Sequence, residues 1–541
     1  MDARQAGQLS PRILSSTIRI VAAMLFACVA ATGQVMAQTQ PLRIGMSAAV
    51  TSMDPHYYNA TPNLTVAFHV FESLVAQDGG GRLLPSLAVS WRPVSDTVWE
   101  FKLRDGVKWH DGRPFTAGDV AFSLERVKNV PGAPGGFASM VNTIKSVEAA
   151  DPLTVRITTT VPSPNIPIFM TFIAIVSAEH GRNARTEDYN SGKAMIGTGP
   201  FKFDKYVSGE TVELVRNEQW WGTKPEWPRV VFRIVPNLAV RTTSLLAGDL
   251  DVIEAPAAAD LERLKADSRI GLYSTKSTRV SYVNPIFKPA ADADAITDAA
   301  GKRIEPTPVQ NLKVRRALSM AINRAGIVDR VMLGTAEVTG QIMPAGLYSY
   351  APDVKVPAYD PVAAKKLLTE AGYPDGFNLT LTAANDRVPY NVEVAQAIAQ
   401  MWSRIGVNTK VNGVPTSVYT GIAGNQRIPA YVGSWGTTSM ESGTTLSQLL
   451  RSYDKDGNKG TYNWSRYSNP ELDRLVDTAL ATVDPKERER MLQDATRLLT
   501  EDQALIPLFH FLNFWATRNG IAYEPRADGM TLAQNMRTVK R

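Results

Sequence analysis

Thiol chemistry is almost missing from this chain: among 541 residues the single cysteine is Cys28. It lies in the N-terminal stretch, so a processed chain would hold no disulfide, no cysteine metal ligand and no cysteine nucleophile. Histidine is also sparse, five in all and scattered. His69 and Glu72 stand three apart, but within an apolar stripe that reads as core, so neither a protein-built metal site nor a cofactor is expected. The formal charge of +6 is thin for this length, and no Lys/Arg block could track phosphates, which argues against nucleic acid. Hydrolase, zincin and nucleotide-binding motifs are absent. Ser452-Tyr453-Asp454-Lys455 matches S-x-x-K in letters only, without its companion motifs. Asp454, Asp456 and Asn458 begin like a calcium loop, but Lys459 stands where glycine is required and Ser465 where glutamate is. Gly79-Gly80-Gly81 has no phosphate-binding continuation. The chain does not read as an enzyme.

Long apolar runs are missing too, and the one short run is informative. Arg12 and Arg19 precede Ile20 to Ala31, and Val35-Met36-Ala37 offers a small-x-small cleavage site. This is the pattern of a cleavable export signal ending near Ala37, too short for a membrane anchor. Leu25-Phe26-Ala27-Cys28 faintly resembles a lipoprotein box, which bulky Phe26 fits poorly.

What is present is an ordinary globular composition, 44% hydrophobic and 20% charged, at a length that calls for two or three domains. Helical and strand patterns alternate, as in Ala239–Gly248 followed by Asp251-Val252-Ile253, which favours an α/β sheet. From Trp99, apolar and charged residues alternate as in a half-buried strand. Asp105-Gly106 predicts a hairpin turn, with the alternation resuming at Val107 and Trp109. Thr116 then caps a helix, with Asp119 completing a capping box.

That run, Trp99 to Ser123, resembles the solute-binding proteins of bacterial dipeptide, oligopeptide and nickel ABC importers (family 5), whose pattern is roughly W-x-F-x-L-R-x-G-V-K-[FW]-H-D-G-x-P-F-x-A-x-D-V-x-x-S. Gly197-Thr198-Gly199-Pro200-Phe201, Val314 to Arg324, Tyr359 to Tyr373 and Ile506 to Phe509 follow in the family's order. The resemblance implies a two-lobed periplasmic binding protein (class II, Venus-flytrap type) with an extra α/β domain inserted in the first lobe. The expected division is 38–80, 196–284 and 505–541 for the first lobe, 81–195 for the insertion, and 285–504 for the second lobe. The implied role is capture of a small peptide or peptide-like solute for an inner-membrane ABC permease and, through it, its ATPase, by a monomer in the periplasm. An opine, a glutathione-like conjugate, a nickel complex or a sugar are alternative solutes, and an exported sensor or chaperone-like binder is an alternative role.

The resemblance also suggests site residues. Asp386-Arg387-Val388-Pro389-Tyr390-Asn391 resembles the R-P-Y-N segment of dipeptide binders with one residue inserted. This implies Arg387 as clamp for a ligand carboxylate, whose planar fork matches two parallel charge-assisted bonds, with Tyr390 beside it. Trp435 to Glu441 aligns with a segment in which an Asp holds the ligand's ammonium. Here Thr438 stands at that Asp, beside Thr437, so either Glu441 supplies the charge from a shifted position or the ligand has no free amine. Trp435 would be a platform under a ligand side chain. Asp54, His56 and Tyr57 occupy the loop where the first lobe usually meets its ligand.

Overall fold

The computed structural model describes residues 40–437, 439–457 and 459–539. The export signal with Cys28, Thr438 and Asn458 lie outside the described residues. Among those described, eleven strands form one sheet. In its first half, Leu42–Met46 lies between Arg229–Ile234 and Val252–Glu254, parallel to both. In its second half, Phe377–Ala384 lies between Val407–Val414 and Ala430–Trp435, again parallel to both. The two long strands Ile270–Pro285 and Ile506–Arg518 pair antiparallel in the middle and join the halves. This arrangement decides where a ligand can sit. Crevices in α/β sheets form outside the carboxyl ends of parallel strands, where connections diverge to opposite faces.

Each half has its own core. Leu42, Ile44, Phe232 and Val252 are fully buried in the first, with Trp515 at 1% exposure. Leu381, Val394, Ile398 and Trp402 form the second, under the helix Asn391–Ser403. Asn469 and Asp484 cap Pro470–Ala481 and Pro485–Glu501 through their side chains, with proline in each first turn. No helix among the described residues is long and apolar enough to cross a membrane.

A third core lies under a separate four-stranded antiparallel sheet that holds the diagnostic run. Val98–Leu103 forms as predicted, burying Trp99, Phe101 and Leu103, and Asp119 accepts the Thr116 N–H at 3.0 Å to cap Ala117–Arg126. The predicted hairpin differs. Val98–Leu103 pairs with Ala88–Ser95 before it and Thr154–Thr159 after it, not with Val107–Trp109. Val107 and Trp109 are buried all the same, at 2% and 4% exposure, because alternation reports which side chains enter a core and not which backbone pairs with which. Gly197 earns its place by close approach, since a Cβ there would overlap the Val70 carbonyl oxygen.

Candidate functional site

A cavity of about 700 Å³ lies between the halves, within the range of small-molecule sites. Its first-half wall comes from Ser47 and Ala48 after Leu42–Met46, from Asn59 to Leu64, and from Glu254 to Ala258 after the Val252–Glu254 strand. Its second-half wall comes from Pro389-Tyr390 and Gly436-Thr437, which follow Phe377–Ala384 and Ala430–Trp435. Loops leaving parallel strands at their carboxyl ends thus face each other across it, with Ser277 to Arg279 and Phe511 to Trp515 of the two long strands between them. A second cavity of about 380 Å³ lies in the second half and shares Arg279 and Gly436 with the first.

Four of the residues singled out from sequence line these cavities. Arg387 is exposed on the smaller one, in the loop between the Phe377–Ala384 strand and the Asn391–Ser403 helix. Its neighbour Asp386 does not neutralise it, because the Asp386 carboxylate accepts the Thr416 N–H at 2.9 Å and the Thr416 hydroxyl. Tyr390 sits at the start of that helix with φ +60°, a left-handed conformation that side chains resist and that clusters at ligand sites. Trp435 stands edge-on to Tyr462 at 5.1 Å between ring centres and lines the smaller cavity. Thr437 lines the larger one, and its carbonyl accepts the Thr278 hydroxyl at 2.7 Å.

Four others are used differently. Glu441 lines neither cavity. It is 1% exposed, caps the helix Ser442–Thr445, and forms an ion pair with Arg488 at 2.7 Å. It also accepts the Gly443 N–H at 3.0 Å and the Ser439 hydroxyl at 3.2 Å, so its oxygens are fully engaged. Asp54 is equally occupied: its two oxygens take the Arg126 guanidinium at 2.9 and 2.6 Å. His56 is completely buried, with Nε2 at 2.7 Å from the Ala174 carbonyl and Nδ1 facing Arg126 at 3.0 Å. Burial and the nearby guanidinium lower its pKa to about 4, so the ring is neutral, with Nε2–H donating. Arg126 comes from the inserted sheet's helix, so Asp54 and His56 fasten that unit to the first half. Half-buried Tyr57 does not line either cavity, and the loop reaches the cleft only from Asn59 onward.

Two lining residues escaped the sequence reading. Glu254 ends the strand Val252–Glu254, and its carboxylate accepts the Ser47 N–H and hydroxyl at 2.7 Å each and the Thr531 hydroxyl at 2.9 Å. No salt bridge engages it among the described residues, although the buried Arg241 guanidinium, which donates to the Glu254 carbonyl at 2.9 Å, feels its charge; Asp528, the other carboxylate on the larger cavity, is bound directly by Arg526. A carboxylate at the carboxyl end of a predicted parallel strand was the signal available for Glu254. Arg279 carried none. It follows Lys276 where the pairing of Ile270–Pro285 with Ile506–Arg518 shifts register, and such bulges re-aim side chains next to sites.

The profile of the bacterial extracellular solute-binding proteins, family 5 (middle region), matches residues 82–457. Heme-binding protein A of Haemophilus influenzae is 30% identical over 84% of this chain and 83% of its own. Di/tripeptide-binding protein 1 of Pseudomonas aeruginosa is 29% identical over 84% and 86%. The solved structure of HbpA2 from Haemophilus parasuis, 25% identical, superposes over 93% of this chain and 100% of its own with a TM-score of 0.82. The relatives are named as binding proteins, and their names differ in what is bound. With a two-lobed fold, a cleft walled by both halves and a family profile across most of its length, this chain belongs to the bacterial extracellular solute-binding proteins, family 5, the substrate-binding components of ABC importers.

Proposed function

We propose that this protein captures a short peptide or peptide-like solute in the periplasm and delivers it, without turnover, to an inner-membrane permease. The observation that carries this reading is the charge layout of the cleft. Arg387, on the smaller cavity that meets the cleft at Arg279 and Gly436, offers a guanidinium without a salt bridge, and Glu254, on the first-half wall, a carboxylate without one, among the described residues. A zwitterion spanning the cleft would satisfy both, its carboxylate on Arg387 and its ammonium on Glu254. Closure of the lobes would make each pair stronger by removing water, so the ligand itself favours the closed form. The lobes would be 38–80, 196–284 and 505–541 against 285–504, with 81–195 packed on the first. Glu254 supplies what the absent Asp at 438 withholds, so the Thr438 substitution does not require a ligand without an amine.

Calorimetric titration with Ala-Ala and with N-acetyl-Ala-Ala tests the reading. The free dipeptide is expected to bind saturably and unchanged in mass, and the acetylated one at least about tenfold more weakly, through loss of a charge-assisted contact. Equal affinity for the two would remove Glu254 from the site. Hydrolysis of the dipeptide would overturn the transport role.

A further inference from the structure

The smaller cavity differs in chemistry from the larger. Two arginines, Arg279 and Arg387, line it, and no aspartate or glutamate does. Arg279 lies alongside Gly436, with its guanidinium carbon 3.5 Å from where a Cβ would stand, and its only side-chain hydrogen bond is a long one of 3.4 Å to the Ser434 hydroxyl. No salt bridge engages either arginine among the described residues. Both arginines are exposed to solvent, and the field of Arg387 falls on Arg279 without a compensating anion among the described residues. Trp435 also lines this space, and its indole N–H is buried without a hydrogen-bond partner among the described residues. Tyr282, 3% exposed, forms part of the floor, and burial keeps its phenol protonated, so it too can donate. Gly433 makes room for that ring, since a Cβ there would stand 2.8 Å from it.

An arrangement of this kind is costly in the empty protein. Like charges repel, weakly where solvent screens them, and a buried indole N–H lacks an acceptor. A ligand portion rich in acceptors and negative charge reverses each term. We infer that this cavity is a second-anion subsite, and that the preferred solute carries two acidic groups, one for Arg387 and one for Arg279, on an aliphatic stem lying over the aromatic floor. Resting on the peptide reading above, this narrows the ligand class to peptides with an acidic C-terminal residue. With one ammonium on Glu254, such a ligand matches the cleft charge for charge. The volume of about 380 Å³ admits a residue-sized group together with water.

The test compares Ala-Glu, Ala-Gln and glutarate by calorimetric titration of the purified protein. Ala-Glu and Ala-Gln are near-isosteric, so their difference isolates the second charge. Ala-Glu is expected to bind at least about tenfold tighter than Ala-Gln, as for a charge-assisted pair. Arg279→Met is expected to reduce that ratio to within about threefold, and Arg279→Lys, which keeps the charge but loses the fork, to leave it intermediate. The wild-type comparison stands even if a variant fails to fold. Equal affinity for Ala-Glu and Ala-Gln overturns the subsite while leaving the peptide reading intact, as does a ratio unchanged by Arg279→Met. Binding of glutarate that depends on Arg279, with no binding of either peptide, keeps the subsite and overturns the peptide reading. No binding of any of the three overturns both.

Discussion

Arg488→Met should destabilise the protein severely while leaving its ligand chemistry intact. The Glu441–Arg488 pair is buried from both sides, at 1% and 5% side-chain exposure, with 2.7 Å between the charged atoms. Removing one member of such a pair leaves the other charge desolvated and uncompensated, at a cost of about 3–5 kcal/mol. The Gly443 N–H and Ser439 hydroxyl still hold the Glu441 carboxylate, which places the expected loss toward the lower end. Glu441→Gln alone should also destabilise, because Arg488 then becomes the stranded charge and its Nε already lacks a partner. The double variant Glu441→Gln/Arg488→Met should lose less than the two single losses added together, since no unpaired charge remains. Urea unfolding of the four proteins supplies the cycle, and titration with Ala-Ala supplies the second readout. Single losses below about 1 kcal/mol that simply add would refute the account of the pair. Undiminished stability with abolished binding in Glu441→Gln would return Glu441 to the ligand site.

The Arg126–Asp54 contact should behave in the same way across the junction with the inserted sheet, where the side chains are 11% and 0% exposed. Arg126→Met is expected to cost about 3 kcal/mol by urea unfolding; a substitution that weakens ligand binding without that loss would place Asp54 in the cleft after all. Stability should also fall on acidification. His56, His69 and His510 are neutral in the fold, each with its pKa lowered by burial from 6.5 to about 4. The unfolded chain takes up these protons first, so stability present above pH 6.5 is lost as pH falls towards 4, up to about 3 kcal/mol per ring. Glu72 runs the opposite way: burial raises its pKa from 4.5 to about 7, so its contribution is full below pH 4.5 and lost as pH rises through 7. Three rings against one carboxylate make the acid limb the steeper. Urea unfolding across roughly pH 4–8 checks this, and a flat profile between pH 6.5 and 4 would contradict the burial of the three rings.

Much of the architecture was legible because local rules governed it. Thr116 with Asp119 marked a helix start, and the run from Trp99 to Ser123 marked the family. Arg387, Tyr390, Trp435 and Thr437 were legible as cavity residues because their segments resemble the family's and follow predicted strands. What the residues alone determined was which positions are buried, where chain elements begin and end, and which segments return to a sheet's carboxyl edge. Charge assignment was decided only in three dimensions. Glu441 and Asp54 looked like ligand groups until Arg488, 47 residues on, and Arg126, 72 residues on, arrived beside them. Arg279 looked like one more polar residue on a strand until a register shift brought it to the cavity of Arg387. The reason is physical: a charged side chain is free for a ligand only if no opposite charge is folded against it. That depends on partners distant in the chain, which periodicity and motif spacing do not record.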